Sequence, residues 1–175
     1  MLIFWLIIHS NIDRWRSLGR SSYWIAATGL PVFGGGVLLF RERIFSIQWQ
    51  PGLVFQAIGA IAFIASLSIG YIAGQLIPTR TLVGLAELEP HKTAQPLLQR
   101  GIYARTRNPI YLAHWLLILS MAALTGYGAN WALFVVDCGI LPFMIRAEQK
   151  ELRTRYGAEF EDYARRVPAF FPKLT

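Results

Sequence analysis

The sequence predicts an all-α, polytopic membrane protein with about four transmembrane helices, the last two a tight hairpin, ending in a cytosolic amphipathic helical tail. Three observations predict it. Hydrophobic residues make up 54% of the 175, and mean hydropathy is +0.40. They arrive in long blocks separated by short basic stretches, which is the pattern of membrane spans and not of a soluble core. The net charge of +7 sits between and after those blocks, so membrane topology accounts for it and no nucleic-acid partner is expected. The length fits a single domain, with N-terminal helices over 1–78 and a second part over 79–175.

In chain order, Met1 to Ile8 is apolar but too short to span, and it lacks a preceding positive region and a small-residue cleavage site. It reads as an interfacial segment, or as the end of a helix that begins upstream of this start. The first span runs from Tyr23 to Phe40 and contains Pro31 and the triplet Gly34, Gly35, Gly36. No strand precedes that triplet and no Lys-Ser/Thr follows it, so it serves helix packing and not phosphate binding. The second span, Leu53 to Ile77, carries only Gln56, Ser66, Ser68 and Gln75 as polar residues. Both are long enough to cross about 30 Å of hydrocarbon at about 1.5 Å per residue.

A third block, Ile110 to Thr125, and a fourth, Trp131 to Ile145, are joined by the glycine-bearing turn Gly126 to Asn130. Each arm is shorter than the roughly 20 residues of an ordinary span, so the hairpin should pack deep against the other helices. Four spans place every lysine and arginine except Arg41 and Arg43 on one side, which is the cytoplasmic side by the positive-inside rule. Beyond the last span, Ile145, Glu148, Leu152 and Tyr156, then Phe160, Tyr163 and Val167, recur at helical spacing on either side of Gly157. They predict an amphipathic tail of two short helices broken at the glycine.

Two stretches stand out on that cytoplasmic side: Gly101 to Tyr111, and Arg146 to Pro168. In the first, Asn108 suits an N-cap and Pro109 the first helical position. Arg107, Tyr111 and His114 then follow at i, i+4 and i+7 as a polar stripe leading into an apolar helix. Ionisable residues at membrane depth point to function by default, although a histidine near a helix start also serves simply to bond a neighbouring helix. Asp137, in the middle of the fourth block, is its candidate partner across the hairpin. Glu148 lies on the inward stripe of the tail, where a carboxylate needs a partner. Cys138 is the single cysteine, which excludes an intramolecular disulfide, and His9 and His91 lack partners at ligand spacing, so no metal site is expected.

At these two stretches the chain resembles the isoprenylcysteine carboxyl methyltransferase family and its phospholipid methyltransferase relatives. That family has Gly-x-Tyr-x-x-x-Arg-His-Pro-x-Tyr at the opening of a helical hairpin, then a glutamate-rich helix leading to an aromatic-Gly pair, a tyrosine and Val-Pro. Here these are Gly101 to Tyr111, and Glu148, Tyr156-Gly157, Tyr163 and Val167-Pro168, over about residues 79 to 172. The resemblance implies that residues 79–175 bind S-adenosylmethionine, held by Gln95, Pro96, Leu97, Leu98, Tyr103, Asn108, Pro109, Ile110, Tyr111 and Glu148. It implies Arg107 and Arg146 as catalytic residues. Asn108 replaces the family's histidine, Gln149 its second acid, and Met144 stands where a substrate-side arginine belongs, with Arg146 the nearest substitute.

The activity so implied is methyl transfer to a lipid-like or prenylated acceptor at the cytosolic face, with the bilayer and a hydrophobic small molecule as partners. Such a transfer needs in-line approach of the nucleophile, a carboxylate for the donor and aromatic walls around a sulfonium. Glu148 with Tyr103, Tyr111 and Tyr156 supply those types. The competing readings are a phospholipid N-methyltransferase, a sterol-type reductase using NADPH, and a membrane scaffold whose basic tail binds anionic lipid. Oligomeric state leaves no trace in the sequence.

Overall fold

The computed structural model describes residues 17–18, 21–78 and 96–173. Among the described residues the helices bounded at both ends are, in order, α1 (Ser21–Leu39), the short α2 (Arg41–Ile44), α3 (Leu53–Gly74), α4 (Pro109–Thr125), α5 (Gly128–Tyr156) and α6 (Ala158–Arg166), with a 3₁₀ turn at Gly101–Ala104 before α4. No strand occurs among the described residues. All four expected apolar blocks are helical. By length and composition α3 and α5 are able to cross a membrane, while α4 is apolar but shorter.

The fourth block departs from expectation in extent. It does not end at Ile145: the span and the first tail helix are one 29-residue helix ending at Tyr156. The reason is local, because residues 146–155 are almost all strong helix formers and none breaks the backbone ladder. The break comes at Gly157, where φ is +54°, and α6 begins at the next residue. Pro142 lies inside α5 without ending it.

The closest pairing of elements is α3 against α4, with α5 completing the hairpin on α4. What allows the approach is a seam of small residues on α3, namely Gly59, Ala62, Ser66, Gly70 and Ala73, at the i, i+3, i+4 spacing of one helix face. Ala62, Ser66 and Ala73 are buried, and so are Ala113, Ala122 and Ala123 on α4. A Cβ placed on Gly59 would lie 2.6 Å from Cγ of Leu124. The Ser66 hydroxyl donates to the carbonyl of Ala113 at 2.7 Å, a polar tie between two apolar helices. The opposite face of α3 is apolar and exposed, with Leu53 at 84% and Val54 at 71%. An exposed apolar face of this extent suits lipid.

The turn between α4 and α5 docks onto the segment before α3. The amide of Trp49 donates to Gly126 O at 3.2 Å and the amide of Gly128 to Ile47 O at 2.9 Å, flanking an isolated antiparallel bridge between Gln48 and Tyr127. Gly126 has φ +67°, the left-handed region that ends a helix cheaply only at glycine. Above the turn, Trp131 stacks on Trp49 with ring centroids 6.4 Å apart and meets Phe55 edge-on at 6.1 Å.

Candidate functional site

The two stretches singled out in sequence meet in space. The residues after α6 run back across the turn into α4 as a strap, and each of residues 105–108 contributes one hydrogen bond to it. The amide of Arg107 donates to Pro168 O at 3.0 Å, the Thr106 hydroxyl to Phe170 O at 2.6 Å, and the amide of Lys173 to Arg105 O at 3.2 Å. Thr106 is wholly buried. Asn108 precedes Pro109 at the start of α4 as expected, but its side chain caps nothing; its Nδ2 donates to Ala169 O at 2.6 Å. The asparagine ties the strap down and does not satisfy the helix terminus.

Beneath the strap, Phe160, Tyr163 and Val167 form a buried cluster against Leu97, Leu152 and Tyr156. The Tyr163 hydroxyl donates to Tyr103 O at 2.6 Å, joining α6 to the 3₁₀ turn. Burial pushes the Tyr163 phenol up to about 12, opposed by the Arg107 guanidinium. The Tyr103 phenol is raised as well, first by burial and then by the Glu148 carboxylate. Arg107 lies over the Phe160 ring, its Cζ 5.7 Å from the centroid, and its Nε and Nη1 are buried without a hydrogen-bond partner. Desolvation lowers its pKa from the usual arginine value.

Of the residues named in sequence, Leu97, Leu98, Tyr103, Arg107, Asn108, Pro109, Ile110, Tyr111 and Glu148 lie buried or half-buried in this region, and Pro96 is exposed. Gln95, with His9 and His91, lies outside the described residues. Arg146 is exposed and faces the Phe143 ring at 6.0 Å, away from the cluster. Met144 is fully buried and packs with Leu141 and Ile145 against Tyr111 and Trp115. The position at which the resemblance expects a cationic side chain is therefore filled by core.

Replacing Tyr163 with phenylalanine removes the donor to Tyr103 O and should cost about 1–3 kcal/mol, measured as thermal unfolding in detergent. The phenol's pKa is raised on folding. Its contribution is thus complete below about pH 10, the ordinary tyrosine value, and is lost as pH rises through about 12. The wild-type protein should lose stability over that window more steeply than Tyr163→Phe.

A second polar pair lies deeper in the hairpin. His114 on α4 and Asp137 on α5 face one another, Nε2 to Oδ1 at 3.1 Å, with Asp137 only 5% exposed. The second carboxylate oxygen, Oδ2, is buried with no hydrogen-bond partner. On the neighbouring rung, Trp115 Nε1 donates to Cys138 Sγ at 3.2 Å. The helical stripe that carries Arg107, Tyr111 and His114 thus ends at an acid across the hairpin. Among the described residues no three His, Cys, Asp or Glu side chains converge.

No family model matches the chain. Among curated proteins it is similar to the nickel-cobalt-cadmium resistance protein NccN of Alcaligenes xylosoxydans xylosoxydans, 36% identical over 80 residues. It is also similar to the cobalt-zinc-cadmium resistance protein CzcN of Cupriavidus metallidurans, 38% identical over 80 residues. In both cases the match covers 45% of this chain and 37% of the relative, so the chain spans little more than a third of the length of the curated relatives it matches. These findings correct the expectation drawn from the resemblance. The similar proteins are named for resistance to metals and not as methyltransferases, and the family assignment and methyl transfer to a lipid-like acceptor are set aside with it.

Proposed function

We propose that this chain is a multi-pass membrane protein that contributes to cellular tolerance of divalent transition-metal ions. The observation that carries the reading is the 80-residue similarity to two proteins named for resistance to nickel, cobalt, zinc and cadmium. The architecture supports the membrane half of it. α3 exposes an apolar face, α5 is long enough to span, and the bonded strap puts the basic residues Arg105, Arg107, Arg165, Arg166 and Lys173 at one end of the hairpin. With α1 and α4 as the other two crossings, that end is the cytosolic one.

The test is growth of a metal-sensitive bacterial strain expressing the full chain, across graded cobalt, nickel, zinc and cadmium, with cell metal content measured alongside. The expected result is growth at metal concentrations that stop the empty-vector strain, with a changed metal content. Indistinguishable growth curves for all four ions, with the protein present in the membrane fraction, would overturn the proposal.

A further inference from the structure

We propose that His114 and Asp137 form a binding site for a divalent transition-metal ion inside the α4–α5 hairpin. The choice of ligand rests on the metal-tolerance reading above; the choice of residues rests on geometry. Imidazole nitrogen and carboxylate oxygen are ordinary donors to zinc, cobalt and nickel. Each binds at about 2.0–2.2 Å, so two donors on one ion at tetrahedral to right angles stand about 3.0–3.4 Å apart. Nε2 and Oδ1 stand 3.1 Å apart across two helices that are already packed. An ion can take the place of the shared proton with little movement of either backbone.

Two features separate this pair from a plain hydrogen bond between helices. A single neutral imidazole engages one oxygen of a carboxylate, and here the other, Oδ2, is buried with no partner. A carboxylate held at low dielectric with half its acceptor capacity unused is costly, and a dication relieves it through either or both oxygens. The imidazole is the outer member of the pair, its side chain 21% exposed against 6% for the aspartate. Binding needs the Nε2 lone pair. The ring either moves its proton to Nδ1 or, if imidazolium, releases one to water, so uptake is opposed by acid. No third His, Cys, Asp or Glu converges on the pair among the described residues, so water or a second copy of the chain completes the shell. An open shell of this kind suits exchange of the ion over permanent retention.

The experiment is equilibrium binding of Co²⁺ to the detergent-purified full chain, followed by its visible absorption and by dialysis. It compares wild type with His114→Ala and Asp137→Asn, each checked for fold by circular dichroism. Asn keeps a hydrogen bond to the imidazole and so guards against simple loss of the hairpin. The expected result is saturable binding by wild type, weakened about 10-fold or more in both variants, with a cobalt spectrum typical of nitrogen and oxygen ligands. Absence of saturable binding, or equal affinity in the folded Asn variant, would overturn the site. The growth assay keeps the two readings apart. Tolerance conferred by wild type with Co²⁺ affinity unchanged in both variants leaves the function standing and removes the site; Co²⁺ binding that both substitutions abolish, in a chain that confers no tolerance, keeps the site and removes the function.

Discussion

Gly126→Ala should unfold the hairpin turn and cost more than about 3 kcal/mol of stability, the largest effect of a single methyl added to any glycine among the described residues. Two separate penalties fall on one atom. At φ +67° the backbone is in the left-handed region, which costs an L-residue about 1–2 kcal/mol before any contact is considered. The new Cβ would also stand 2.1 Å from the carbonyl oxygen of Trp49 and 3.1 Å from the ring of Pro51. That oxygen is backbone, in the same segment that donates to Gly126 O, so relief means undocking residues 47–49 from the turn. Trp49 then leaves Trp131, which gives the measurement: tryptophan emission should shift and the thermal midpoint fall in detergent. Gly139→Ala is the control, since a Cβ there meets nothing within 4 Å and the helix gains from losing a glycine. If both variants melt together with wild type, the docking of 47–49 onto the turn is wrong.

The contrast between those two glycines shows where sequence reading had power. Long apolar blocks bounded by charge reveal helices because periodicity and length are local properties, and α1, α3 and α4 begin and end within a few residues of the expected limits. The end of α5 was harder. A span and its cytosolic continuation are chemically different yet mechanically one helix, and a change from apolar to charged residues at Arg146 reads as an end when the backbone does not register it. At the site, the two motif stretches did come together, and the His114–Asp137 pair was legible as a polar stripe and an isolated acid. The strap was not. Its bonds to 105–108 run through main-chain carbonyls of Pro168, Ala169 and Phe170, which any residue supplies, so no side-chain pattern announces them. The motif resemblance over-reached for a related reason. The side chains of Tyr163 and Asn108, bonded to the main-chain oxygens of Tyr103 and Ala169, hold the turn, the last helix and the tail together, and a scaffold role of that kind does not specify a reaction.

Ser66→Leu should be the second most damaging substitution, and comparison with Ser66→Ala separates the reasons. In sequence Ser66 stands out only as one of the few polar residues of the second span; the seam of Gly59, Ala62, Ser66, Gly70 and Ala73 and its partner α4 emerge from the structure. Ser66 is buried against α4, with Gly70 close enough that an added Cβ would sit 3.6 Å from Ala113 Cβ. Alanine at 66 removes only the bond to Ala113 O, worth about 0.5–1.5 kcal/mol. Leucine removes the same bond and adds bulk to a seam without room for it, a further cost of about 1–3 kcal/mol through displaced helices. Thermal unfolding in detergent should therefore rank wild type above Ser66→Ala and both well above Ser66→Leu, while Ile61→Ala, on the exposed face of α3, stays near wild type. The displacement has a second reading. Ala113 is the residue before His114, so pushing α4 away from α3 moves the imidazole relative to Asp137, whose 3.1 Å spacing is what fits both donors to one ion. Ser66→Leu should weaken Co²⁺ binding without touching a ligand, whereas Ser66→Ala should leave it intact. A leucine variant that melts early yet binds Co²⁺ like wild type would show that the hairpin holds its pair independently of α3.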